Sequence, residues 1–479
     1  MDLEFRIEKD SLGEVKVPKD ALYGAQSQRG NMNFRITGRH MHPTMIHSIG
    51  LVKKASAISN ARCGFIDEER LGYIVQACDE VINGDLDQWF VTDCIQGGAG
   101  TSFNMNANEV IANRAAQLAG KEIGKYDYIH PNDHINFGQS TNDVFPTSAR
   151  LTCLFLVDDL LHELKLLHKA LDHKADEFDD VIKMGRTHLQ DAVPIRLGQE
   201  FNSYATMLRR DIKRIKLAFD DLKAVNMGAT AVGTGLNADE FYKRIIVPTL
   251  SEISGFKLTA AKDLVDGTRN CDTLVWASSA LKVFAVNLSK MCNDLRLMAS
   301  GPKAGLAEIK LPEKQPGSSI MPGKVNPVIL EVTNQVCFNV FGNDQAITKA
   351  AEAGQLELNV FEPVLFKNLF ESIEILTSAC HTLRVNCIEG IQANRENCLF
   401  FVERSVGSVT ALAPHIGYAN ASSIAKQALR ENRPLREVLL ESGLINEADL
   451  EIVMNVYEMT KPGISGKKRL GKIKKNLEK

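Results

Sequence analysis

Apolar residues in this chain recur at helical spacing over unusually long stretches. Leu197, Phe201, Tyr204, Leu208, Ile212, Ile215, Phe219 and Leu222 advance by steps of three or four, which draws one uninterrupted apolar face along a helix. A sharper pattern follows. Leu274, Leu281, Leu288 and Leu295 repeat every seventh position, and Ala277, Phe284, Met291 and Met298 follow each by three. These are the a and d seats of a helix–helix seam. Ser278, Ala285, Cys292 and Ala299 run alongside as a row of small side chains that lets a second helix approach closely. Further helical patterns cover 153–180, 327–352 and 363–389, the last opening with Pro363, whose missing N–H has no intrahelical partner in a first turn. At ~1.5 Å per residue such helices reach ~40 Å. Helices that long and apolar on more than one face predict an oligomer in which bundles from several copies pack together.

Either side of this region the texture changes. Residues 1–140 alternate short helical patterns with polar loops such as His130-Pro131-Asn132-Asp133, and after about 395 the helices shorten again. The expected organisation is a mainly α chain of three domains: 1–140, a central long-helix bundle over 141–395, and a small helical domain over 396–479.

Composition narrows the functional classes. With 479 residues, 44% hydrophobic and 24% charged, the chain has ample material for a buried core. A formal charge of −3 provides no global field for nucleic acid or anionic lipid. Ten cysteines never fall in a C-x-x-C spacing and sit on apolar stripes, which reads as small buried hydrophobes in a reducing compartment. No secretory leader pattern and no apolar run of membrane-spanning length is found, so a cytoplasmic protein is expected. The basic stretch 467–475 reads as a solvated terminus rather than a polyanion site.

The stretch Gly317-Ser318-Ser319-Ile320-Met321-Pro322-Gly323-Lys324-Val325-Asn326-Pro327 lies between two long helical patterns. A nucleotide phosphate loop is excluded: five residues rather than four separate Gly317 from Gly323-Lys324, and Val325 stands where a magnesium-binding hydroxyl is needed. What remains is a loop with two hydroxyls, an ammonium and a carboxamide, suited to closing over a small anion. Three other polar islands interrupt the pattern: 97–102, 138–143 and 185–191. Each stands before a long helix, where capping by Ser, Thr, Asn or Asp is the plain explanation. Four together, with Lys324 and His188, point to a shared polar site.

The 317–327 loop resembles, almost letter for letter, the signature of the aspartase/fumarase superfamily, and the similarity extends over the whole chain, including Asp10-Ser11-Leu12-Gly13 and Gly97-Gly98-Ala99-Gly100-Thr101-Ser102. Ser140-Thr141-Asn142, Asp191-Ala192-Val193-Pro194 and the 354–363 segment with Glu362 resemble the aspartase branch rather than the fumarases, which usually carry Ser-Ser-Asn, Asp-Ala-Thr-Pro and a lysine at the last position. The resemblance implies five long helices per chain, a twenty-helix core in a homotetramer, and pockets built from three subunits. It also implies reversible elimination of ammonia from L-aspartate to give fumarate through an aci-carboxylate. By the same resemblance Ser318 is the base, Thr101, Ser140, Thr141 and Ser319 cradle the β-carboxylate, Lys324 and Asn326 hold the α-carboxylate, and Asn142, Thr187 and His188 face the amino group. No cofactor is implied and no cluster has metal-ligand spacing, although activation by a divalent cation stays open. Fumarate hydration is the alternative reaction. A non-catalytic helical protein is the alternative class, with no need for an intact Ser318, Lys324 and Asn326.

Overall fold

The computed structural model describes residues 4–467, so the basic stretch 467–475 lies, apart from Lys467, outside the described residues. The fold is mainly α. Its five longest helices are Thr141–Glu177, Leu197–Asp220, Asp272–Met298, Val328–Glu352 and Glu362–Asn386. Among the described residues, strands form only two-stranded sheets.

The heptad of the 272–298 helix is buried throughout: Leu274, Ala277, Leu281, Phe284, Leu288, Met291 and Leu295 are all 0–1% exposed. Buried polar pins fix how this helix meets the 328–352 helix. Asp344 accepts from Ser278 Oγ at 2.8 Å and from Lys282 Nζ at 2.6 Å. Asn334 Nδ2 donates to Ser289 Oγ at 2.8 Å. Trp276, Val283, Val286 and Leu297 on the same helix stay at least 39% exposed, as do Val332 and Phe338 on the 328–352 helix. The second apolar face is therefore real and uncovered in one chain.

The sequence pattern starts the first long helix at 153, but it starts at Thr141, with Pro146 inside. Proline removes the N–H that would bond the carbonyl four residues back. That carbonyl belongs to Asn142, and it accepts instead from Asn226 Nδ2 at 3.0 Å. The last pattern ends three residues early, at Asn386, and Pro363 does occupy its first turn.

A larger difference lies at 182–196. Ile182–Thr187 pairs antiparallel with Gln190–Arg196 through a two-residue turn in which His188 and Leu189 both have positive φ, 56° and 60°. This is a β-hairpin, not a cap for the helix that follows. Such turns usually announce themselves by Asn-Gly or Gly-Gly, and neither is present.

The chain gathers into two compact units. One holds the residues up to His162, Asp211–Val286 and Val336–Ser378, and the other holds Glu163–Arg210, Asn287–Gln335 and the residues from Ala379 onward. In the second unit the short C-terminal helices enclose a core of Leu412, Ile424, Ala428, Val438, Leu439, Leu450 and Val453. Nine of the ten cysteines are buried, as small hydrophobes would be.

Candidate active site

The candidate residues divide between the units. Thr101, Ser140, Thr141 and Asn142 belong to the first unit, and Thr187, His188, Ser318, Ser319, Lys324 and Asn326 to the second.

In the first unit, Gly100 takes φ 89° and precedes the helix Thr101–Leu118. A Cβ there would lie 2.5 Å from the Phe145 ring, so only glycine lets the turn seat against that side chain. Its N-cap residue Gly100 offers no side chain, and the first-turn N–H of Phe103 donates instead to Gln96 Oε1 at 2.9 Å, just outside the island, so capping does not explain the 97–102 hydroxyls. Thr101 is exposed, with its hydroxyl donating to Gly98 O at 2.5 Å. The 138–143 island does cap: Ser140 Oγ accepts from Asn142 N at 3.2 Å, and Asp143 Oδ1 accepts from Ser140 N at 2.9 Å. This reciprocal arrangement is a capping box with aspartate as the acidic member. Thr141 is buried, and its Oγ1 accepts from Asn104 Nδ2 at 3.2 Å. Asn142 Nδ2 donates to Ala231 O at 2.6 Å.

In the second unit the 317–326 loop is closed at its neck, where Gly317 N donates to Lys324 O at 2.7 Å and Asn326 Nδ2 donates to Gly317 O at 2.7 Å. Ser318 Oγ accepts from Ile320 N at 3.2 Å and Met321 N at 3.1 Å. Two N–H donors aimed at one hydroxyl oxygen favour its anionic form. Ser319, Ile320, Met321 and Lys324 are exposed, a loop with little to hold it open or shut. Thr187 and His188 sit exposed at the hairpin tip beside Leu189, itself 70% exposed. The hairpin is anchored by Arg186, whose Nη1 lies 2.7 Å from Glu308 Oε1, and by Lys183, whose Nζ lies 3.0 Å from both Glu308 Oε2 and Glu200 Oε1. Glu308 is fully buried, so both cations are needed to keep its charge tolerable.

Gly317 has no room for a side chain, since a Cβ would fall 2.3 Å from Lys324 O. Gly317→Ala is expected to force the neck apart and lower kcat/KM by ~10–100-fold, as ångström-scale misplacement of a reacting group does. The melting temperature should hardly move, because the loop is exposed. Steady-state kinetics and a thermal scan check both halves.

Sequence reasoning missed the buried polar network behind the first group. Lys53 Nζ donates to Asn136 Oδ1 at 2.9 Å and Gln139 Oε1 at 3.0 Å. Asp143 Oδ2 accepts from Gly228 N and Thr230 N. Burial lowers the Lys53 ammonium to about 7 and raises the Asp143 carboxyl to about 6. The available signal for Lys53 was a lysine set directly after the apolar run Ile49-Gly50-Leu51-Val52.

Glu362 is 3% exposed, and burial raises its carboxyl to about 8 against the opposing pull of Arg150. Its Oε2 and Arg150 Nη1 are both buried without a hydrogen-bond partner among the described residues. A carboxyl that is harder to ionise folded than unfolded contributes stability below its unfolded value near 4.5, and that contribution is lost as pH rises through about 8. Glu362→Gln should therefore gain stability relative to the parent between pH 5 and pH 8, on the order of 3 kcal/mol. Urea unfolding at the two pH values measures the difference.

A family model described as lyase matches residues 13–342, and one described as fumarase C C-terminus matches 409–461. An aspartate ammonia-lyase from a Bacillus species is 55% identical over 98% of this chain and 100% of its own. The aspartate ammonia-lyase of Escherichia coli strain K12 is 47% identical, covering 98% of each. Among solved structures, a fumarate lyase:delta crystallin from Brucella melitensis bound to cobalt superposes with a TM-score of 0.94 at 46% identity, covering 96% of this chain and 100% of that one. A class II fumarase from Schistosoma mansoni does so at 0.93 with 36% identity and the same coverage.

Proposed function

The chain belongs to the lyase family, and from that premise we propose that it eliminates ammonia reversibly from L-aspartate to give fumarate, with Ser318 as the base. It is a carbon–nitrogen lyase: aspartate ammonia-lyases match it at 47–55% identity over nearly its full length, against 36% for the fumarase structure. The observation that carries the mechanism is the pair of amide N–H groups on Ser318 Oγ.

The Cβ proton of aspartate is adjacent to a carboxylate, and its removal drives the electron pair onto that group as an aci-carboxylate. Ser318, as an alkoxide held by the two amides, takes the proton. Return of the electron pair forms the double bond and expels ammonia from Cα. The charge that builds on the β-carboxylate is the quantity to be stabilised, and preorganised neutral donors do so most effectively where water is excluded. Ser140 and Thr141 suit that task because each hydroxyl oxygen already accepts an N–H, and neither proton is spent on another group among the described residues. In this reading Thr101 and Ser319 complete the cradle, Lys324 and Asn326 bind the α-carboxylate, and Asn142, Thr187 and His188 face the amino group. For Thr101 and Asn326, substrate contact means exchanging the hydrogen bonds now made to Gly98 O and Gly317 O. The route draws on no cofactor.

The assembly we infer is a homotetramer with each pocket built from several subunits. Its support is the uncovered apolar face of the long helices and the division of the candidates between two units. A cytoplasmic location fits a chain whose described helices include none long and apolar enough to cross a membrane. The decisive assay follows the ultraviolet absorbance of fumarate's conjugated double bond with L-aspartate and L-malate offered separately. Aspartate alone should raise it; a rise with malate alone would make the enzyme a hydratase.

A further inference from the structure

Thr141 can donate to a carboxylate only if its hydroxyl is oriented as a donor, and a chain of side chains behind it determines that orientation. The chain begins at Lys53, fully buried, whose amine has at least two N–H groups to give whether protonated or not. It donates to Asn136 Oδ1 and Gln139 Oε1. Asn136 is thereby held with its oxygen toward the lysine, and its Nδ2 donates to Gln139 O at 3.4 Å. The same Oδ1 accepts from Asn104 Nδ2 at 3.3 Å, so Asn104 must present its amino side there. Its second N–H goes to Thr141 Oγ1 at 3.2 Å. The carbonyl oxygen of Asn104 is left buried with no partner among the described residues. An unpaired buried acceptor is costly, and the opposite amide orientation would set two oxygens against each other at Asn136. Every direction in the chain follows from the obligate donor at its start.

We infer that Asn104 is a positioning residue: by filling the acceptor site of Thr141 Oγ1 it leaves the hydroxyl proton free to be given to the substrate. This rests on the proposed place of Thr141 at the β-carboxylate. Because that carboxylate gains charge along the reaction, the lost orientation acts mainly on kcat rather than KM.

The test is a double-mutant cycle with Asn104→Leu, which keeps the shape and removes the donor, and Thr141→Val, which removes the group acted upon. In the parent enzyme Asn104→Leu is expected to lower kcat for L-aspartate by ~10–100-fold with KM changed less than ~3-fold. In the Thr141→Val background the same substitution should cost less than ~2-fold. Equal losses in both backgrounds, or a loss carried by KM, would overturn the inference. Should the leucine variant fail to assemble, Asn104→Ser enters the same cycle under the same criteria. The functional reading is read out separately, by aspartate turnover of the unaltered enzyme and calorimetric binding of succinate, a non-reacting dicarboxylate. If both are absent, that reading fails and takes the inference with it. If both are present and the cycle is additive, only the inference fails.

Discussion

Ser318→Ala is expected to lower kcat for L-aspartate by ~10³–10⁴-fold, the upper range for loss of a general base, while succinate still binds and the melting temperature stays within a degree or two. The reasoning starts from the loop. Its neck is held by Gly317 N to Lys324 O and by Asn326 Nδ2 to Gly317 O, and neither bond involves the Ser318 side chain. Removing the hydroxyl frees the amides of Ile320 and Met321, but Ile320 and Met321 are exposed and water replaces the lost acceptor at little cost. Structure and ground-state binding are therefore preserved, and the deficit should fall on proton removal. Solvent-deuterium wash-in at Cβ gives a second readout. An alanine variant that still exchanges the Cβ proton at the parent rate places the base elsewhere, and Ser318 is then only a turn residue.

Much of the fold was written in the periodicity. The heptad of Leu274, Leu281, Leu288 and Leu295 predicted a buried seam, and every one of those leucines is within 1% of complete burial. Those positions are legible because burial on a helix face needs only apolar side chains at a fixed interval. The hairpin at 182–196 was not, since its turn uses His188 and Leu189 at positive φ in place of the Asn-Gly or Gly-Gly pair that marks such turns. A non-glycine pair held in the left-handed region is strained, and strain of this kind concentrates where side chains must be aimed. His188 at the tip is consistent with that rule.

The site was legible in part, and the division is physical. Ser140 and Asp143 were visible as a polar island, but the island reads alike whether it caps a helix or binds a substrate. The structure shows that Ser140 caps, and that in doing so it keeps its hydroxyl proton unspent. The roles of Asn104 and Lys53 were not legible, because they depend on hydrogen-bond direction across residues 32 to 86 positions apart. Glu362 was noticed as a branch marker, without a cause. Its burial beside Arg150 provides one, because a lysine there would set a second buried cation against the first.

Two inactive variants should restore activity when mixed. Thr141→Val disables the group held by the first unit, and Ser318→Ala the group held by the second. Each pure variant is expected to be nearly dead. If a pocket takes its Ser140-Thr141-Asn142 segment from one subunit and its 317–326 loop from another, a tetramer assembled from both variants contains pockets in which both segments are intact. For random association of equal amounts, a given segment comes from the favourable variant half the time, so about a quarter of pockets carry two good segments. Denaturing the two variants together and refolding them should therefore return activity approaching a quarter of the parent's. The variants refolded apart and then combined without exchange should remain inactive, as should the double variant refolded with either single one. That last control is essential, because every chain in such a mixture lacks the same one of the two groups, so no arrangement of subunits can complete a pocket. Recovery in the mixture alone establishes that pockets are shared, and it explains why the long helices keep Trp276, Val283, Val286 and Phe338 uncovered within one chain. Failure to recover, with mixed tetramers demonstrated by mass, would mean that each chain completes its own pocket and that those apolar faces serve assembly alone.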